Sequence, residues 1–309
     1  MNRIATAASY SAVLANLMAA EARQTDASNQ VATQKKATDL KGYAGQAETL
    51  TAMQAVKSRI DAYIPQAAAT ADRLTSQDTA INQVGDAAQG ARQAITDALA
   101  SGDGSTLMQS LRNYFSDVTA GLNTKYNGNY LFAGGQVNTA PLSAASMSDL
   151  TAAPTTASLF HNDQLQTTSK LDDTTTIPSG FLADKLGTGV VDAFKAVQGF
   201  VDANGDFNGP LTDAQKTFLQ GQLAGFDTAH NDLVNAAGQN GLMQTQVTSM
   251  QADLTSRQTS LQTMLGGITD ADVATAVSNL QQAQIAVQAS AQVFTTLKAS
   301  SLVNLLPQG

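Results

Sequence analysis

The chain has no cysteine and no tryptophan in 309 residues, and only two histidines. Without cysteine there can be no disulfide, no zinc–thiolate site and no thiol nucleophile, although the compartment stays open. Aromatic residues make up 5% and charged residues 14%, which suits helices packed through thin seams better than an aromatic-rich globular core. The charge that is present is acidic, with a net of −8 and seventeen scattered lysines and arginines. Phosphate binding needs clustered cations, so no nucleic-acid partner is expected. No apolar run reaches about eighteen residues, so no membrane insertion is expected either. Arg3 followed by the apolar stretch Ala12–Ala20 looks like a secretory leader, but Asn16 interrupts it and Ile4, Leu14 and Met18 sit at helical spacing.

Residues that could carry chemistry are equally sparse. His161 and His230 have no ligand neighbour at metal-site spacing, and Glu occurs only as Glu21 and Glu48. The segment Asp202–Asp213 echoes a calcium loop, but Phe207 takes the sixth position, where the turn demands glycine. Asn204-Gly205 and Asn208-Gly209 read more simply as turns. Gly102–Thr106 lacks the lysine of a phosphate loop and reads as an interhelical turn. No catalytic, cofactor or metal site is expected, and the chain is not expected to be an enzyme.

What is present is heptad periodicity. Leu219, Phe226, Leu233, Asn240, Val247, Leu254, Leu261 and Ile268 repeat every seven residues, and so do Met53, Ile60, Ala67, Leu74, Ile81, Ala88 and Ile95. Two such stripes predict two long partner helices. Thr212 and Gln215 have the spacing of a capping box at the start of the second. Pro65 should kink the first helix, or end and restart it. A further helix follows Ser105, with Leu107, Leu111, Tyr114, Val118 and Leu122 on one face, and Asn127-Gly128 signals a hairpin turn.

Residues 136–211 hold four of the six prolines and an excess of aspartate over Lys170, Lys185 and Lys195. They read as an inserted, mostly β domain with one helix near Val190–Val201, projecting away from the helices. Gly42 and Gly45 near one end and Gly266 and Gly267 near the other mark joints. The resulting division is a 1–42 arm, a 43–135 helical half, the 136–211 insertion, a 212–267 helical half and a 268–309 arm. The fold class expected is mainly α: a long antiparallel coiled-coil rod formed by the two halves, with the small insertion.

The arms are nearly uncharged. Ile4–Ala20 carries no charge, and from Thr269 onward only Asp270, Asp272 and Lys298 do. A solvated helix normally wears charge on its outer face, so arms this bland are expected to be covered by each other and by neighbouring copies. The residues expected to carry assembly are Ile4, Leu14, Leu17, Met18, Val31, Val273, Val277, Leu280, Ile285, Val287, Phe294, Leu302, Leu305 and Leu306. Aspartate at Leu280 or Phe294 is expected to spare the monomer and block assembly.

The C-terminal stretch GGITDADVATAVSNLQQAQIAVQASAQVFTTLKASSLVNLL resembles the terminal signature of the flagellin family, and NQVATQKKATDLKGYAGQAETL is similar to that family's first arm. YLFAGGQVNTAPL resembles in particular the branch of hook-associated protein 3, found at the hook–filament junction. Two departures stand out: Thr33-Gln34 replaces the usual Ser-Gly or Thr-Gly pair, and Asp39 stands where paired aspartates are common. The resemblance implies an extracellular structural subunit, exported unfolded by the flagellar type III apparatus on an uncleaved signal. It further implies copies of itself, hook-associated protein 1 and flagellin as partners, and an export chaperone on the C-terminal helix. A filament flagellin is the near alternative; a type III translocator or tip protein and a surface adhesin are alternatives of other classes.

Overall fold

A computed structural model describes residues 2–303 of the backbone and the side chains of residues 8–299. Among the described residues the chain forms seven α-helices and two small antiparallel hairpins. In order these are α1 (Asn2–Thr33), α2 (Ala47–Ser101), α3 (Leu107–Leu122), β1 (Lys125–Tyr126), β2 (Asn129–Tyr130), α4 (Met147–Ala152), β3 (Thr168–Lys170), β4 (Thr176–Pro178), α5 (Ala183–Asn204), α6 (Asp213–Thr269) and α7 (Val273–Val303). Short 3-10 turns occupy Leu40–Gln46 and Thr156–Leu159. The residues divide into two compact units, 61–255 and 1–60 with 256–309.

The core of the 61–255 unit is built on the two heptad stripes. Leu74, Ile81 and Ile95 on α2 and Leu219, Phe226, Leu233, Val247 and Leu254 on α6 are all buried. The helices run antiparallel: His230 Nδ1 meets the Gly85 carbonyl at 3.0 Å, Arg92 pairs with Asp227, and Asn240 Nδ2 donates to the Leu74 carbonyl at 2.8 Å. Asn240 is fully buried in the seam, and Gln244 donates to the same carbonyl, so one polar layer breaks the apolar stripe. Thr212 and Gln215 bond reciprocally at the head of α6, as the capping spacing predicts. Pro65 lies inside a continuous α2.

Helix α3 approaches α2 closely because Gly121 lacks a side chain. A Cβ there would stand 2.6 Å from Val84 Cγ2 and 3.1 Å from the Ala80 carbonyl. Phe115 on α3, Phe194 on α5 and Phe226 on α6 meet edge to face, with centroids 5.5 and 5.0 Å apart, which ties three helices into one core. Asn127 (φ 51°) and Gly128 (φ 84°) form the turn between β1 and β2, the left-handed pair that an Asn-Gly hairpin requires.

Residues 136–211 depart from expectation in two ways. Helix outweighs strand in them: α5 has 22 residues, whereas β3 and β4 have 3 each. The apolar stripe Leu186, Val190, Phe194 and Val197 extends the helix well beyond the Val190–Val201 window, and that stripe is buried in the shared core. Nor does the segment stand clear of the helices. The β3–β4 hairpin and its flanks lie on α2: Tyr63 Oη donates to Asp173 Oδ1 (2.8 Å), Arg73 Nη2 to Thr167 Oγ1 (3.1 Å) and Gln77 Nε2 to the Ser179 carbonyl (3.1 Å). Leu171 and Ile177 bury the apolar side of this attachment. Prolines and threonines signalled turns correctly, but they could not show that the turns would be held down by long polar side chains from a helix 100 residues away.

Candidate assembly surface

The unit made of residues 1–60 and 256–309 is organised by the pairing of α1 with α7. Four alanines at seven-residue spacing, Ala20 and Ala27 on α1 and Ala276 and Ala283 on α7, are buried. Interleaved with them are half-buried Leu17 and Val31 on one helix and Leu280, Val287 and Phe294 on the other, again at heptad spacing. The Tyr10 and Phe294 rings pack with centroids 4.8 Å apart, which fixes the helices as antiparallel. Alanine seams bring backbones close and leave little side-chain volume to spare.

A tight turn closes the pair. Helix α1 ends at Thr33, and the φ of 57° at Gln34 is the left-handed conformation typical just beyond a helix C-terminus and normally supplied by glycine. Lys36 N–H donates to the Thr269 carbonyl (2.8 Å) and Ala271 N–H to the Gln34 carbonyl (2.9 Å), while Lys35 Nζ meets Asp270 Oδ1 at 2.6 Å. Helix α7 starts afresh because the Asp272 carboxylate accepts the N–H groups of Ala274 and Thr275. Both carboxyls are held below the ordinary aspartate range: Asp270 by its bond from Lys35 and then from Thr269, and Asp272 by the Thr275 amide.

The glycine joints divide. Gly42 lies in the Leu40–Gln46 turn, where a Cβ would overlap that of Ala37 at 2.0 Å, and Gly45 lies in the same turn beside Ala44, which holds φ 42°. Gly266 and Gly267 lie inside α6, and the break falls just after them, at 270–272. In this unit Ile60 is buried, and Met53, Leu261 and Ile268 are half-buried.

The remaining assembly candidates point outward. Met18 and Ile285 are 63% and 65% exposed, and Leu14, Val273 and Val277 are exposed too, as is Val293, which the sequence reading did not single out. Ile285 stands nine positions from Ala276, about 180° round the helix, on the back of α7. The backbone at Ile4 and Leu302 is helical, but their side chains, and all of Leu305 and Leu306, lie outside the described residues. A cleft of about 520 Å³ runs beside the pair, lined by Ala20, Ala27, Ala283, Arg23, Asp26 and Gln282 among others. The expected assembly residues therefore form two sets, one closing α1 on α7 within the chain and one left facing outward. Leu280 and Phe294 belong to the first, so aspartate there would damage the monomer itself.

Sequence reasoning overlooked the alanine seam, although the spacing of Ala20 with Ala27 and of Ala276 with Ala283 was there to be read. Among the described residues no group of three His, Asp or Glu could hold a metal ion, and no helix is long and apolar enough to cross a membrane. His161 is exposed, and Phe207 of the calcium-like segment is buried against Phe200, their rings stacked. The chemistry available to this surface is burial of apolar area against another protein.

Comparison with known proteins agrees with this arrangement. Residues 223–306 match the bacterial flagellin C-terminal helical region, which spans most of α6 and α7. A structure described as a flagellar hook-associated protein from Vibrio parahaemolyticus superposes with a TM-score of 0.59 at 15% identity, covering 72% of this chain and 97% of that one. FlgL from Bacillus cereus superposes with a TM-score of 0.55 at 16% identity, covering 70% and 99%. No curated protein sequence matches. The C-terminal part of the chain thus carries the flagellin helical region, on a fold shared with the two flagellar structures.

Proposed function

We propose that this chain is a non-enzymatic structural subunit of the bacterial flagellum, placed outside the cell at the junction between hook and filament. The observation that carries the reading is the α1–α7 pair, an almost uncharged coiled coil whose outward side still carries Met18, Ile285 and Val293. A large apolar side chain gains about 1.5–3 kcal/mol on full burial, so a few such contacts per copy can drive assembly. Copies of the same chain are the first partners, with hook-associated protein 1 and flagellin as axial neighbours. A flagellar export chaperone would shield α7 before assembly. The 1–42 and 268–309 arms make these contacts, and the turn at Leu40–Gln46 and the break at 270–272 let them settle at the angle the assembly sets. The flagellin match also supports a second reading, a subunit of the filament itself.

The test is substitution of outward residues. Met18→Asp and Ile285→Asp should leave helicity and thermal midpoint close to wild type, because exposed sites shift stability by less than about 0.5 kcal/mol. They should abolish incorporation into flagella in cells lacking the wild-type copy. Undiminished incorporation of both variants would overturn the proposal.

A further inference from the structure

Four Asn-Gly pairs occur in this chain, at 127–128, 204–205, 208–209 and 240–241. In such a pair the glycine amide nitrogen can attack the asparagine Cγ, because no side chain on the glycine hinders the approach. A C–N bond forms, the side-chain nitrogen leaves as ammonia, and a five-membered succinimide results. Water then opens either carbonyl of the ring, to aspartate or to isoaspartate, in which the backbone runs through the former side chain. The reaction needs no oxidant, only water, a mobile asparagine side chain and an unengaged glycine N–H.

The structure treats the four pairs differently. Asn240 is fully buried in helix α6, with its amide donating to the Leu74 carbonyl and Asp78 Oδ1. Asn204 donates to the Phe200 carbonyl, and the Gly205 N–H is engaged by the Val201 carbonyl at 2.7 Å. Asn127 is fixed in a two-residue turn between paired strands. Asn208 alone has none of these restraints. It is exposed, makes no side-chain hydrogen bond among the described residues, and lies in irregular chain between α5 and α6. Gly209 has φ 71° and open space around its Cα.

We infer that Asn208 is a spontaneous deamidation site, the first of the four to convert in the folded protein. The consequence is local and structural. The Gly209 carbonyl accepts the Gly104 N–H (2.9 Å), and the Leu211 N–H donates to the Gly102 carbonyl (2.8 Å), so this strand pins the α2–α3 turn to the start of α6. Isoaspartate at 208 lengthens the backbone next to that pairing, and a new carboxylate appears between Asp206 and Asp213. Leu211 and Phe207, which pack on Gly104, lose their fixed position.

The test incubates the purified full-length chain in warm, mildly alkaline buffer, then cleaves it before aspartate, which separates residues 202–205 from 206–212. Isoaspartate should accumulate at 208 about tenfold or more faster than at 204, where two hydrogen bonds must first be broken. In guanidinium the advantage should collapse, since all four pairs then share the same freedom. Asn208→Gln should remove the fast phase while leaving the fold intact, and amide exchange at Gly104 and Leu211 should rise in the converted fraction. Isoaspartate appearing first at 127, or at equal rates across the four pairs in the folded chain, would overturn the inference.

Discussion

Gln34 shows how one side chain can be wrong for its backbone and still be tolerated. Left-handed φ costs a non-glycine residue roughly 1–2 kcal/mol, partly offset in a glycine variant by the greater freedom of its unfolded chain. Gln34→Gly should therefore stabilise the 1–60 and 256–309 unit by up to about 1 kcal/mol. Urea unfolding should show this as a higher midpoint at unchanged slope, and Gln34→Val should move the midpoint the other way. The departure from the family's Ser-Gly or Thr-Gly pair was visible in the sequence, but only the backbone angle explains its consequence. At the other side of the same turn, Asp270 and Asp272 have folded-state values lowered by Lys35 and by backbone amides. Their contribution is present above the free-aspartate value of about 3.9 and is lost as pH falls through the lowered folded values. Carboxyl titration by NMR should place both midpoints below that of free aspartate; a midpoint at or above it would contradict the assigned bonds.

At the scale of elements, the two seams differ in what they tolerate. The α2–α6 seam is filled by large side chains, and Phe226, packed edge to face on Phe194, is its anchor. Phe226→Ala should cost about 3–5 kcal/mol in calorimetric unfolding, as removal of a buried aromatic leaves a cavity. The α1–α7 seam is lined by alanine, so the opposite change is the harmful one. Ala276→Leu should destabilise by about 1–3 kcal/mol through overpacking, detectable as lost helicity at temperatures where Phe226 remains packed. The heptads of α2 and α6, the capping box at Thr212 and the Asn127-Gly128 turn were all legible in the sequence, because each is a local pattern with one dominant physical solution. The docking of the β3–β4 hairpin on α2 was not, since Tyr63, Arg73 and Gln77 look like ordinary polar positions on a helix until the partner arrives. The same holds for the arm residues: spacing identified them, but could not sort Leu280 and Phe294, which close the chain on itself, from Met18 and Ile285, which face out.

For the whole molecule, the sparse charge and absent cysteine that excluded other classes now have a positive counterpart. Stability within the chain comes from the aromatic core of one unit and the alanine seam of the other. In the proposed function the apolar side chains exposed on the arms are what remains for assembly. Met18→Asp and Ile285→Asp separate these roles, since they should abolish incorporation at nearly constant monomer stability, whereas Leu280→Asp should lose both. The resemblance and the flagellin match bring the flagellum into the account, and the position along it is the central claim. Immunogold electron microscopy of intact flagella tests it most directly. A single narrow band of label where hook meets filament is the predicted result, and label distributed along the filament would contradict it.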